Sequence, residues 1–298
     1  MMKLFKMINS NPLVSICIPT YNGGKFIKEA LQSAVEQTYK NIEIIISDDN
    51  SNDETLIIIK DVLKDCTVPF YIYNHEPKGI GENWNHCVKK SKGTYIKFLF
   101  QDDVLAIDCV EKMINLIESD PKIGMVYCKR NIIYDANNRD HISWINNYAI
   151  LHKSWFEFEV EEGITKGTTY LKNINLMKNP LNKIGEPTAV LIKKECFEKI
   201  GYFNIKLKQS LDFEYWYRLM KFYDIGFVNE KLIFFRLHPD QATFANRKSN
   251  LNEMESLRES LYRTIFWQLH PERRWKLFKT QSKIANLVRF FKRLLSKN

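Results

Sequence analysis

Across residues 13–128, five short β-rich runs alternate with four segments of helical periodicity, and that alternation limits the fold more than any other feature. Val14-Ser15-Ile16-Cys17-Ile18 predicts a first strand, ended by Pro19-Thr20-Tyr21-Asn22-Gly23-Gly24. Phe26, Ile27, Ala30, Leu31, Ala34 and Val35 then share one face of a helix over about 25–37. Ile42–Ser47 predicts the second strand, and Ser51 with Glu54 fits a capping box opening a helix from Asp53 to about Lys64. Further strands are predicted at Phe70–Tyr73, Tyr95–Phe100 and Gly124–Tyr127, with helices over 81–91 and about 108–120, the latter opening at Asp108 and Glu111. Strands and helices alternating at this spacing predict an open, mainly parallel α/β sheet flanked by helices. Ligands of such sheets bind beyond the carboxyl ends of the strands. Pro19–Asn22, Asp48–Asn50 and Asp102–Asp103 all fall there, so three polar clusters converge on one crevice.

Gln101-Asp102-Asp103 is the most chemically pointed of these. Adjacent carboxylates at the end of a buried strand repel each other and lose solvation unless a cation or donors meet them. A hard divalent ion takes one or two carboxylates and fills its shell with water and substrate phosphates. A simple loop start is the bland reading of an isolated Asp pair; its neighbours favour the site.

Taken in order, the segments Val-Ser-Ile-Cys-Ile-Pro-Thr-Tyr-Asn, Ile-Ile-Ile-Ser-Asp-Asp-Asn-Ser-Asn-Asp-Glu-Thr and Gln-Asp-Asp resemble the family 2 glycosyltransferases of GT-A fold. So do Asn83-Trp84-Asn85 before Gly93, Gly185–Ile192, Gly201-Tyr202-Phe203, Asp212–Leu219 and Arg236-Leu237-His238. The resemblance covers roughly residues 13–245. It implies a GT-A domain over 1–245, with a nucleotide-sugar-binding half (13–130) and an acceptor-binding half (131–245), and a helical extension over 246–298. It also implies transfer of a sugar from a nucleotide-diphosphate donor, a UDP-sugar by preference, to a hydroxyl of a glycan or lipid-linked acceptor with inversion. Asp49 matches the carboxylate that accepts from the base, and Pro19, Tyr21 and Asn22 frame it. Asn83 and Asn85 line the donor pocket. Asp102 holds the ribose or the metal shell. Asp103 binds Mg²⁺ or Mn²⁺ directly, and His238 contacts the metal or diphosphate. The metal would neutralise charge on the departing diphosphate.

Asp212 matches the general base. From pattern alone it serves equally as a helix cap. Relatives often show Glu-Asp where this chain has Leu211-Asp212, which leaves Glu214 as the lesser candidate. Two rival readings stand beside transfer: a sugar-phosphate nucleotidyltransferase, which leaves Asp212 and Arg236-Leu237-His238 unexplained, and a non-catalytic nucleotide-sugar-binding protein at a membrane.

Other motifs carry less. Asp48–Asp53 resembles a calcium loop but lacks Gly at the sixth position and Glu at the twelfth, where Ile59 stands. Gly79-Ile80-Gly81 starts like a dinucleotide fingerprint and meets Trp84 where the third glycine belongs, so Trp84 reads as packing. The remaining histidines show no metal spacing. Trp144, Tyr148, Trp155, Phe156 and Phe158 fall in the least patterned stretch and read as sheet cover, with stacking on sugars the other possibility.

Six scattered cysteines without a C-x-x-C pair suggest a reduced, cytoplasmic setting. No run reaches the ~20 apolar residues needed to span a bilayer, and no signal peptide is evident at the N-terminus. The chain holds 44 Lys+Arg against 35 Asp+Glu. Residues 273–298 hold nine of those cations and no acid, so the excess of +9 sits wholly in that stretch. There Leu277, Ile284, Leu287, Val288, Phe291, Leu294 and Leu295 recur at helical spacing. A basic amphipathic helix suits an anionic membrane surface, here the inner face of the cell membrane; packing on the domain is the alternative. Charge confined to one tail without a binding motif speaks against nucleic acid.

Overall fold

The computed structural model describes residues 11–156, 158–241, 253–285 and 287–288. Its centre is a nine-stranded sheet: β1 (Val14–Thr20), β2 (Ile42–Asp48), β3 (Phe70–Asn74), β4 (Tyr95–Phe98), β5 (Val104–Leu105), β6 (Ile123–Ile133), β7 (Gly163–Thr165), β8 (Val190–Lys193) and β9 (Asp224–Arg236). The strand order is β3-β2-β1-β4-β8-β6-β9-β5, with β7 beside β9. β1, β2, β3 and β4 pair in parallel. β8 runs against both β4 and β6, β9 runs with β6, and β5 and β7 oppose β9. Six strands therefore point one way, and the carboxyl ends of β1, β2, β4, β6 and β9 share one edge.

The helices are α1 (Ile27–Val35), α2 (Thr55–Leu63), α3 (Ile80–Lys90), α4 (Cys109–Ile117), α5 (Arg139–Tyr148), α6 (Gly167–Lys172), α7 (Glu195–Ile200), α8 (Leu211–Leu219), α9 (Met254–Thr264) and α10 (Pro271–Gln281). Both faces of the central strands are covered, which is why β1 and β2 read as continuous apolar runs. Alternate residues serve opposite layers. Cys17, Ile45, Ile96 and Phe98 face α3 and α8, while Ile16, Ile44 and Ile46 face α1 and α4. Strands and helices predicted over 14–127 all occur. The capping box does not: α2 begins at Thr55, the Ser51 hydroxyl instead donates to Asp48, and Asp53 accepts from the Thr55 N–H at 3.0 Å.

The basic stretch differs from the single amphipathic helix expected over 273–298. α10 ends at Ser282, whose extended backbone (φ −72°, ψ 131°) and burial stop it. Leu277 turns inward and joins Leu257, Leu261, Ile265 and Leu269 in the layer that holds α8. Ile284, Leu287 and Val288 are exposed, as are Trp267 and Trp275. The expected positions Phe291, Leu294 and Leu295 lie outside the described residues. Among the described residues no helix is long and apolar enough to cross a membrane.

Candidate active site

At the shared strand edge, the ends of β1 and β2 are locked by one buried carboxylate. Asp48, wholly buried, accepts from the Thr20 hydroxyl (2.9 Å), the Ser51 N–H (2.8 Å) and the Ser51 hydroxyl (2.6 Å). A carboxylate in this position must be saturated with donors, and it is. Its neighbour Asp49 turns the other way. Asp49 Oδ1 accepts from the Lys78 N–H (3.1 Å) and lies 3.5 Å from His75 Nδ1; among the described residues Oδ2 has no partner and is available to a ligand.

Gln101 joins this edge to β4. Its side-chain amide donates to the Tyr21 carbonyl (3.0 Å) and accepts from the Tyr21 N–H (2.9 Å), as an adjacent strand would. Gly23 makes room for it, because a Cβ there would stand 2.2 Å from Gln101 Oε1. Asn22 adopts φ +48°, a left-handed conformation that Asn tolerates, and accepts from the Asn52 N–H (2.9 Å). The Tyr21 ring stays exposed, and Pro19 lies in β1 paired with Ser47. Pro19, Tyr21, Asn22 and Asp49 thus gather on one rim.

Asn83 belongs to the same rim, donating to the Thr20 carbonyl (3.2 Å). Asn85 does not. It clasps both backbone groups of Phe203, at 3.0 Å each, and is buried. Residues two apart on a helix point about 200° apart, so both could not line one pocket.

The two carboxylates after β4 differ in exposure, and the one expected to bind the metal directly is the buried one. Asp103 is 1 % exposed; Oδ2 accepts from the Thr188 hydroxyl (2.7 Å) and Oδ1 from the Arg236 N–H (3.2 Å). Burial, reinforced by the Asp102 charge, pushes its carboxyl well above the usual carboxylate range. These bonds tie β4 to the end of β9 and leave Asp103 the more enclosed of the two acids. Asp102 is the accessible one, and its Oδ2 stands 2.8 Å from His238 Nε2. His238 packs on Phe26 (ring centroids 4.9 Å), and its buried Nδ1 has no partner among the described residues. A carboxylate oxygen and an imidazole nitrogen form a donor set suited to a divalent ion. Adjacent ligands about 2.1–2.2 Å from such an ion lie about 3 Å apart, so the 2.8 Å separation fits. No group of three or more His, Cys, Asp or Glu side chains able to hold a metal occurs among the described residues, which leaves the rest of the shell to phosphate and water.

Asp212 lies in the first turn of α8 without capping it. Ser210 occupies the cap position; Asp212 Oδ1 accepts from the adjacent Phe213 N–H (2.7 Å) and Oδ2 from Asn182 Nδ2 (2.8 Å). Burial, with Glu186 adding to it, pushes this carboxyl up to about 7. Glu214 is no substitute. It is buried in an ion pair with Arg218 (2.9 Å) and accepts from Ser260 as well, so it stabilises α8 against α9. Glu186 is held by Arg130 (2.5 and 2.6 Å) and acts on both Asp212 and Asp103.

The contacts of five side chains escape a reading of the sequence: Asn182, Glu186, Arg130, Thr188 and His75, although Glu186 and Thr188 lie within the quoted segment Gly185–Ile192. Each reaches its partner across a long stretch of chain, and no local spacing marks it. β9 left a signal, its run Leu232–Phe235, but the strand matters for where it delivers Arg236 and His238. Of the aromatics, Trp155 is core, and Trp144 stacks on Phe235 (5.4 Å); Phe156 is exposed.

Comparison with known proteins follows the same outline. The family profile described as Glycosyl transferase family 2 matches residues 15–201. An uncharacterized glycosyltransferase of Rickettsia prowazekii, RP339, is 33% identical over 248 residues, covering 82% of this chain and 69% of its own length. Staphylococcus aureus TarS 1–349 in complex with UDP-GlcNAc superposes with TM-score 0.60 at 17% identity, over 86% of this chain and 66% of that one. The mannosyltransferase PcManGT of Pyrobaculum calidifontis, in complex with GDP-Man and Mn²⁺, gives 0.57 at 15%, over 96% and 81%.

Proposed function

The chain belongs to glycosyl transferase family 2, with the GT-A fold, and from that premise we propose that it transfers a sugar from a UDP-sugar to a hydroxyl of a glycan or lipid-linked acceptor, inverting the anomeric centre. The observation that carries this reading is Asp212, a carboxylate held by Asn182 and pushed up to about 7. General bases work best with a pKa near the operating pH.

In the proposed reaction the acceptor hydroxyl attacks the anomeric carbon from the face opposite the diphosphate. Its O–C1 bond forms as the C1–O bond to the diphosphate breaks, and Asp212 takes the hydroxyl proton. Asp49 accepts from the base, with Tyr21, Pro19 and Asn22 framing it and Asn83 bracing the rim. Asp102 and His238 would hold the divalent ion, Mg²⁺ or Mn²⁺. That ion supplies charge neutralisation for the departing diphosphate. Asp103 and Thr188 keep Asp102 in position.

The preference for uridine rests on Asp49 and on the UDP-GlcNAc complex of TarS; the Mn²⁺ of PcManGT supports the metal. The reading sets the acceptor at the inner face of the cell membrane. Exposed Trp267, Trp275, Ile284, Leu287 and Val288 lie among Arg274, Lys276, Lys279 and Lys283, a composition suited to anionic lipid headgroups.

A screen of UDP-, GDP- and dTDP-sugars with Mn²⁺ or Mg²⁺, following nucleoside diphosphate release, tests the reading. One donor should turn over in a metal-dependent way that Asp102→Ala abolishes. A folded protein that neither binds nor turns over any donor would overturn it. Sedimentation with anionic liposomes, with and without residues 273–298, tests the membrane contact: equal binding by both forms would sink it.

A further inference from the structure

Beyond the Arg130–Glu186 pair, the same strand edge holds a cavity of about 190 Å³ with an unusual charge. Lys129 on β6, Lys231 on β9, and His152 and Lys153 on the turn after α5 line it, together with Arg130 and Ile184. Lys129 and Lys231 face each other at an irregularity in the β6–β9 register, so two lysines start from neighbouring backbone positions. Like charges placed this way repel each other. Arg130 is neutralised by Glu186. Among the described residues, Lys129, Lys153 and Lys231 have no ion pair and no carboxylate lines the cavity. Three uncompensated cations thus surround one small space. Burial and the charges of Lys129, Lys153 and Arg130 hold the His152 imidazole down to about 4, as a positive field does. The ring itself is stacked on Phe227 (5.3 Å) and stays neutral near pH 7.

The cavity adjoins the catalytic centre through one loop. Residues 182–186 supply Asn182 to Asp212, Ile184 to the cavity wall, and Glu186 to Arg130. Because this loop also holds Asp212, we take a group seated in the cavity as part of the acceptor, an inference that rests on the reading of Asp212 as the acceptor-side base. The geometry points to a phosphate-binding subsite in this cavity, formed by Lys129, Lys153 and Lys231, that takes a phosphoryl group of the acceptor. Three lysines lining one cavity suit a phosphate, with three or more acceptor oxygens and up to two negative charges, better than a single carboxylate. The acceptor is thereby assigned to phosphate-bearing glycans or glycolipids.

Two calorimetric titrations of the full chain separate this inference from the one it rests on. UDP with Mg²⁺ probes the donor site; inorganic phosphate, added with UDP and Mg²⁺ already present, probes the cavity. Wild type should bind phosphate saturably at one site. Lys129→Gln/Lys231→Gln should weaken that binding by about tenfold or more, the loss of at least one charge-assisted hydrogen bond, while UDP affinity and the melting midpoint hold. Should the double variant fold poorly, Lys153→Gln on the exposed lip serves, with a smaller loss expected. Equal phosphate affinity in wild type and variant, or no saturable binding in wild type, overturns the subsite and leaves donor chemistry intact. Lysine-dependent phosphate binding without any UDP binding upholds the subsite and sinks the donor reading.

Discussion

The two rims of the crevice are built on different principles. On the donor rim, residues come from three short segments, 19–24, 48–53 and 101–103, each next to the end of a parallel strand. Strand register places them: Thr20 pairs with Asp48, and Leu99 follows Cys17. Their side chains then fasten backbone to backbone, as Asp48 and Gln101 do. On the acceptor rim, Asp212 is held by Asn182 and Glu186 by Arg130, across 30 and 56 residues of chain, and Thr188 reaches Asp103 of the donor rim across 85. The acceptor rim is assembled from side-chain clasps between loops and helix ends. On the proposed reading, the difference teaches that donor binding is written into the scaffold, whereas the chemistry rests on a few long-range contacts.

The comparison breaks most visibly at Asp212. Asp212→Asn keeps the shape and the Asn182 neighbour but cannot take a proton. Transfer should fall by about 10²–10⁴-fold, the usual worth of a general base, while UDP binding measured by calorimetry stays within experimental error. A variant with near-normal turnover would move the base elsewhere. In the wild type, the rate should rise with pH and level off above about 7, where the carboxyl loses its proton.

The adjacent acids should part company next. Asp102→Ala should abolish metal-dependent donor turnover and leave the melting midpoint nearly untouched. Asp103→Ala should cost about 1–3 kcal/mol of stability, because the Thr188 hydroxyl and the Arg236 N–H lose their acceptor in a buried place. Thermal unfolding with a metal titration of each variant distinguishes the two. The reverse pattern would restore Asp103 as the ligand.

Much of the donor rim was legible because its signals are local. Apolar runs gave β1, β2 and β4, and polar residues immediately after each gave the crevice. What failed was orientation. Asp102 and Asp103 are neighbours whose side chains diverge, and no spacing tells which one faces the core. The same holds for Asn83 and Asn85 on α3. The acceptor rim was legible only at Asp212 and His238, through resemblance; Asn182, Glu186 and Thr188 became visible once β8 was seen between β4 and β6. The basic stretch was misread for a related reason. Periodicity ran past Ser282, but the fold takes Leu277 inward and turns the chain there.

Asn85 sharpens the contrast within one helix. Asn85→Ala should cost about 1–3 kcal/mol, since the Phe203 N–H and carbonyl are left unpaired, with the donor KM unchanged. Asn83→Ala should do the opposite, raising the donor KM severalfold with a smaller loss of stability. Denaturant unfolding beside steady-state kinetics decides it; a shared effect on KM would return Asn85 to the donor rim.

The smallest effect expected is a pH dependence of stability. The Asp212 carboxyl ionises in the folded chain only near 7, whereas in the unfolded chain it does so in the ordinary range near 3.8. Between those values the folded state holds the proton more tightly than the unfolded state, so each step up in pH favours unfolding. The carboxylate is thus a cost to the fold, absent below about pH 4 and complete above about pH 7. Because the side chain keeps some solvent contact, a discounted cost of about 1–2 kcal/mol is expected, a few degrees in Tm for a domain of this size. Asp212→Asn removes it. The variant should therefore melt with the wild type at about pH 4 and above it at about pH 8. Equal midpoints at both pH values would mean that the carboxylate is well solvated, and the acceptor rim would then lack the buried base that sets it apart from the donor rim.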